Sequence, residues 1–220
     1  GEDHPSVVAG YNNMGLSYIG QQDFDKALDY CKKAVAIANR IFTAHNPVLA
    51  NSYNTIGTCY FEKKEYQTAL HYFQKAFEVW KQSYDNHTHP NIALVYSNMA
   101  SCYSSLQKYK YALSYNQKAL NIRIKVFGQQ HPEVASSYSN LANYYFEQKD
   151  YTTALDYVQK ALITLVTDYD NFYIYDNPKL ESYSSALSLL KILQLKAEIF
   201  THLYRDENST NELNLEMAFE

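Results

Sequence analysis

HPEVASSYSNLANYYFEQKDYTTALDYVQKAL, from His131 to Leu162, decides how the chain is read, because its pattern of proline, small and aromatic residues occurs three more times upstream. Counted from Pro132, the marks are Tyr138 at +6, Leu141 and Ala142 at +9 and +10, Tyr145 at +13, Tyr151 at +19, Ala154 at +22, Tyr157 at +25 and Ala161 at +29. Pro90, Pro47 and Pro5 start the same series, which gives for instance Tyr96, Ala100 and Ala112, then Tyr53, Gly57 and Ala69, then Tyr11, Gly15 and Ala27. The prolines are spaced 42, 43 and 42 residues apart. A fixed period in this range marks a solenoid of stacked units, each burying its apolar face against a neighbour.

The apolar marks at +6, +9, +10 and +13 have helical spacing, so each unit is expected to be a helical hairpin. In the first unit helix A runs from Pro5 to about Gly20 and helix B from about Asp23 to Ile41. Proline suits the first turn of a helix, and the residue before it is pushed out of helical geometry. Asn46 can cap the following helix, whereas His4, His89 and His131 are expected to be weaker caps. Small residues at +10 (Gly15, Gly57, Ala100, Ala142) and +22 (Ala27, Ala69, Ala112, Ala154) let the two helices approach closely. The expected divisions are the tail of a preceding repeat at 1–4 and repeats at 5–46, 47–89, 90–131 and 132–177. The last of these includes the aromatic connector Asp168 to Asn177, and a partial, extended fifth repeat follows at 178–220. Gly1 to Pro5 aligns with Gly128 to Pro132, so a longer parent chain is expected.

Tyr53-x2-Ile56-Gly57-x2-Tyr60 followed by Ala69-x3-Phe73 matches a known repeat signature. The array resembles the tetratricopeptide repeat (TPR) family, in the 42-residue form of kinesin light chains. That resemblance implies an all-α, right-handed superhelical solenoid of antiparallel helix pairs that serves as a protein or peptide scaffold. The run Asn177-Pro178-Lys179-Leu180-Glu181, with Leu189-Leu190-Lys191 and Lys196-Ala197-Glu198 beyond it, is similar to the repeats that precede the caspase-like CHAT protease domain of bacterial TPR–CHAT proteins. It implies a second role, as the sensor or docking arm of a protease in the same parent chain. A third reading is a solenoid that only assembles with itself.

Composition narrows the classes of partner. A formal net charge of -4 and a pI near 6.0 leave no basic face for nucleic acid or anionic lipid. No apolar run approaches the roughly 18 residues of a membrane span, and no signal segment opens the sequence. Cys31, Cys59 and Cys102 cannot pair fully and read as small buried residues, so a cytoplasmic setting is expected. Of 23 tyrosines, 15 occupy the +6, +13, +19 and +25 positions, so phase accounts for most of the excess. No phosphate loop, HExxH, CxxC or GxSxG occurs, so neither catalysis nor a cofactor is expected. His87 and His89 form a weak metal pair at best, since His89 belongs to the repeated His-Pro corner.

The side of helix A turned away from helix B comprises +4, +7, +8, +11 and +14. None of these twenty positions is charged, although the chain's 19% charge would place about four there. The candidate ligand groove is Asn12, Asn13, Asn51, Asn54, Phe61, Asn98, Asn140, Asn143 and Phe146. An amide offers a donor and an acceptor together, which suits an extended backbone, while the aromatic rings can receive apolar side chains. The TPR resemblance adds peptide contact by the +8 asparagines Asn13, Asn98 and Asn140, with Thr55 a departure. The competing reading is a crowded inner wall whose polar residues satisfy one another.

Overall fold

In the computed structural model the described residues are 4–42, 46–84, 88–166, 177 and 186–206, and the secondary structure there is α-helical in keeping with an all-α repeat fold. The helices are α1 (Pro5–Gly20), α2 (Phe24–Ile41), α3 (Pro47–Glu62), α4 (Tyr66–Ser83), α5 (Pro90–Ser105), α6 (Tyr109–Phe127), α7 (Pro132–Glu147), α8 (Tyr151–Leu165) and α9 (Ala186–Asp206). The chain divides into two compact units, Gly1–Tyr115 and Asn116–Glu220. Two expectations lie largely outside the described residues: the aromatic connector Asp168 to Asn177, and the fifth repeat at both its ends, 178–185 and 207–220.

Proline opens α1, α3, α5 and α7, and the residue before it caps the helix in extended geometry. The histidines do cap, through bonds longer than the 2.9 Å one from Val48 N–H to Asn46 Oδ1. His4 Nδ1 accepts from the Ser6 N–H at 3.2 Å, His89 Nδ1 from Asn91 at 3.2 Å and His131 Nδ1 from Glu133 at 3.1 Å. A neutral imidazole carries one ring nitrogen with a free lone pair, and that acceptor does the work of a carboxamide oxygen. An aromatic side chain from the end of the preceding helix holds two of the rings in place. Tyr84 stacks on His89 at 3.6 Å and Phe127 on His131 at 4.3 Å.

Among the described residues the four A–B turns are Schellman closures. In the first, Gln22 N–H bonds Ile19 O at 2.9 Å and Asp23 N–H bonds Tyr18 O at 3.0 Å. The pattern recurs at Lys64 and Glu65, at Gln107 and Lys108, and at Lys149 and Asp150. It places Gln22, Lys64, Gln107 and Lys149 at φ 61°, 63°, 57° and 60°, in the left-handed region where glycine is usual. In the first and fourth hairpins the side chain of the next residue then caps helix B. Asp23 accepts from Lys26 N–H and Asp150 from Thr153 N–H, each at 3.2 Å.

Small residues set how closely the hairpins pack. In the first unit Ala27, Ala34, Ala69 and Ala76 are fully buried. A Cβ added at Gly57 would lie 2.6 Å from Phe73 Cε1, and one at Gly15 would collide with Cys31 Sγ. Tyrosines fasten each A helix to its B helix. Tyr18 stacks on Tyr30 at 5.4 Å, Tyr60 on Tyr72 at 5.5 Å, Tyr103 on Tyr115 at 5.4 Å and, in the second unit, Tyr145 on Tyr157 at 5.3 Å. Lys33, Lys75 and Lys160 lie 4.8–5.3 Å from the centroids of Tyr30, Tyr72 and Tyr157, adding a cation–π term. In the second unit the core gathers Leu155, Val158 and Leu162 of α8 with Leu189, Ile192, Ile199 and Phe200 of α9. Buried Arg123 ties α6 to α7 there, donating to Ser137 Oγ at 2.7 Å and pairing with Glu133 at 3.0 Å.

Candidate functional site

At 100° per residue the five inner positions of helix A spread over an arc with +4 and +11 at its centre, +7 and +14 on one edge and +8 on the other. In a stack of A helices the edges turn towards the neighbours and only the centre stays open. The first unit follows this division. Asn54, at +7 of α3, accepts through Oδ1 from Nδ2 of Asn98, at +8 of α5, at 3.0 Å. Asn12 and Ser97 at +7 and Thr55 at +8 are buried, with 7%, 7% and 5% exposure. Thr55, Thr58 and Ser101 each donate to the carbonyl four residues back, at 3.1, 3.1 and 3.2 Å, so these hydroxyls are satisfied within their own helices. Asn51 at +4 and Asn13 on the outer edge of α1 are exposed. Asn12 is the exception among the edge residues, for its buried Oδ1 has no hydrogen-bond partner.

Phe61 and Phe146, both at +14, are half-buried at the hairpin ends and not in the open centre. Phe61 tilts against Tyr66 at 5.5 Å; Phe146 meets Tyr151 at 5.8 Å and His202 of α9 at 5.1 Å. In the candidate set, then, Asn54 and Asn98 are spent largely on each other, Asn12 is enclosed and the two phenylalanines are packed. Asn13, Asn51 and Asn143 remain exposed, and Asn140 is half-buried.

The second unit has a cleft of about 480 Å³ between α7 and α9. From α7 it is lined by Ser136, Ser139, Asn140 and Asn143, which are the +4, +7, +8 and +11 positions. Asn143 Nδ2 donates to Ser139 O at 3.1 Å along the helix. Ile192 and Leu195 of α9, 3% and 7% exposed, form the floor, and Ser188, Lys191, Gln194 and Glu198 complete the lining. The sequence reading grouped Asn140 with Asn143 but missed the α9 wall. Its signal was the polar stripe Ser188, Lys191, Gln194, Glu198 at helical spacing, hidden because the repeat phase slips after Leu165.

Titratable groups elsewhere have structural work. Burial pushes the Cys31 and Cys102 thiols up to about 12 and Cys59 up to about 11, which keeps them protonated and inert at neutral pH. His89 sits below its ordinary pKa through burial, consistent with its role as a neutral cap; His87 lies outside the described residues. Among the described residues no three His, Cys, Asp or Glu side chains form a metal-ligating group, and no helix is long and apolar enough to cross a membrane.

Comparison with known proteins bears on the family. The tetratricopeptide repeat profile matches residues 6–82, 49–125 and 91–162. The structure is similar to BtubC (BKLC) from P. vanneervenii, with 19% identity over 98% of this chain and 78% of that one, at a TM-score of 0.76. It also resembles a Podosopora anserina protein of kinesin light chain type with nearly identical TPR-like repeats, at 16% identity, 98% and 94% coverage and a TM-score of 0.71. The apo form of RapI gives 19% identity, 98% and 68% coverage and a TM-score of 0.67. Identities this low speak to the fold alone. No curated protein matched the sequence. With in-phase marks, helical hairpins and three overlapping profile matches in agreement, the chain belongs to the tetratricopeptide repeat family.

Proposed function

We propose that this TPR scaffold binds an extended peptide or a protein segment along the inner faces of its A helices. The observation that carries the reading is the absence of charge from the open strip at +4 and +11, occupied by Ala9, Leu16, Asn51, Thr58, Leu94, Ser101, Ser136 and Asn143. Solvent-facing helix surface usually carries Lys and Glu, and helix B does so with Asp25, Lys26, Asp29, Lys32 and Lys33 in the first repeat alone. A wall of amides, hydroxyls and small apolar groups matches the alternating N–H and C=O groups of an extended chain without having to desolvate a charge. The candidate groove remains Asn12, Asn13, Asn51, Asn54, Phe61, Asn98, Asn140, Asn143 and Phe146; the exposure of Asn51 and Asn143 supports reading them as direct contacts, with Asn54, Asn98 and Phe146 as framework. The alternative is the protease-arm role, in which the array is the sensor or substrate-docking arm of a protease in the same parent chain.

The test is selection of random peptides on the intact chain, then calorimetric titration of the best binder against wild type, Asn51→Ala and Asn143→Ala. Loss of one direct hydrogen bond should weaken binding by about 0.5–1.5 kcal/mol, with the thermal melt little changed, since both side chains are exposed and the one internal bond removed, Asn143 Nδ2 to Ser139 O, is itself at the surface. Full affinity in both variants would place the ligand elsewhere. Failure to select any peptide, together with a mass that grows with concentration, would favour self-assembly.

A further inference from the structure

The α7/α9 cleft differs from the rest of the inner wall in carrying two opposite charges on one of its sides. Lys191 and Glu198 are both exposed and both line the cleft, seven residues apart on α9. Seven residues span about 10.5 Å along a helix, too far for the two to pair with each other. Neither forms an ion pair among the described residues. Between them and across the cleft lie only uncharged groups, with Ser139, Asn140 and Asn143 on the facing wall and Ile192 and Leu195 beneath.

The geometry points to a mixed-charge peptide segment as the occupant of this cleft, with one acidic and one basic side chain four residues apart. The inference rests on the peptide-groove reading above and adds the ligand's charge pattern. In an extended segment only every second side chain faces the same way, at about 3.3 Å per residue. Same-side residues two apart are then about 6.6 Å from each other, and those four apart about 13 Å. The second spacing lies nearer the separation of Lys191 and Glu198, within the reach of their flexible side chains. Three apart would match the length but turn one side chain away. A doubly basic segment or a phosphate-rich ligand would bring one charge towards a partner of its own sign, so the cleft selects against both.

The probes are labelled peptides on a Ser/Thr/Val background with Glu and Arg four residues apart, and companions with two Glu, two Arg or two Gln at those positions. They are titrated by fluorescence anisotropy against the intact chain, Lys191→Glu and Glu198→Lys, at low and high salt, with folding checked by circular dichroism. Wild type should bind the mixed peptide roughly three- to tenfold tighter than either doubly charged one, since each exposed pair contributes modestly. The advantage should shrink at high salt. Glu198→Lys should then prefer the Glu-Glu peptide and Lys191→Glu the Arg-Arg peptide. A flat ranking, or one that the substitutions leave unchanged while the Gln-Gln peptide still binds, overturns the charge assignment and leaves the groove reading standing. If no peptide of any charge binds a folded chain, the groove reading falls and this inference with it. A melting temperature that drops in both variants, with no peptide bound, would mean that residues of this same chain fill the cleft, which also overturns the inference.

Discussion

Gly57→Ala tests the packing in the first unit with a single methyl group. In a helix interior, alanine in place of glycine is worth about 1 kcal/mol in the protein's favour. At Gly57 that gain meets an obstacle, since the new Cβ would lie 2.6 Å from Phe73 Cε1, 2.7 Å from Cδ1 and 3.1 Å from Cγ. Carbon atoms prefer roughly 3.5–4.0 Å, so the ring has to move by about 1 Å. Phe73 is 1% exposed and lies in the core, so the shift falls towards the upper part of the 1–3 kcal/mol range for overpacking. The net result should be a loss of about 1–2 kcal/mol. Gly10 is the control, lying inside α1 with nothing within 4 Å of its would-be Cβ. Gly10→Ala should stabilise by about 0.5–1 kcal/mol. Urea titration followed by the fluorescence of Trp80, the single tryptophan and 1% exposed in the same unit, reads both. If Gly57→Ala were as stabilising as Gly10→Ala, the close approach of α3 to Phe73 would be wrong.

Three further expectations concern the polar interior, the caps and the thiols. Asn54→Ala and Asn98→Ala should show a coupling of about 0.5–1.5 kcal/mol in a double-mutant cycle of unfolding free energies, from their 3.0 Å bond; additive effects would break the pair. His89 has its folded pKa held below the ordinary 6.5 by burial, so its contribution is present above that value and is lost as pH falls through the folded pKa. His89→Asn should keep a cap worth about 1 kcal/mol while removing that part of the acid-side loss in melting temperature, and an unchanged pH profile would count against it. Cys31, Cys59 and Cys102, all buried with raised pKa values, should resist a thiol reagent at pH 8 until the chain unfolds; rapid labelling of the folded protein would contradict their burial.

The repeat fold was legible because its signals are redundant. Proline marks each A helix, the small residues at +10 and +22 mark each crossing, and tyrosines at +13 and +25 mark each stacked pair. How well a histidine caps depends on its tautomer, which spacing does not show, so the sequence ranks Asn46 above His4, His89 and His131 on residue type alone. The turns carry Gln or Lys where glycine would announce a left-handed residue, so phase located them and residue type did not. For the candidate site, the sequence showed that the inner wall is uncharged in the first four A helices. It did not show how much of that wall the neighbouring A helices cover, because Asn12 against Asn13, or Asn54 against Asn51, differs only by which edge of the arc each occupies. Lys191 and Glu198 lay beyond the slip in phase, where α9 no longer repeats the marks of α1, α3, α5 and α7.

The central claim is that ligand lies against A helices and not against B helices, and photo-crosslinking tests it directly. A selected peptide bearing a photoreactive group is bound to the intact chain, irradiated, and its attachment sites are mapped by mass spectrometry. Adducts should concentrate on the open centre of the A helices, at Asn51, Ser101, Ser136 and Asn143, and on the α9 wall at Lys191 and Gln194. Adducts concentrated around the outer lysines Lys33, Lys75 and Lys160 of the B helices, with the A helices unmarked, would contradict it.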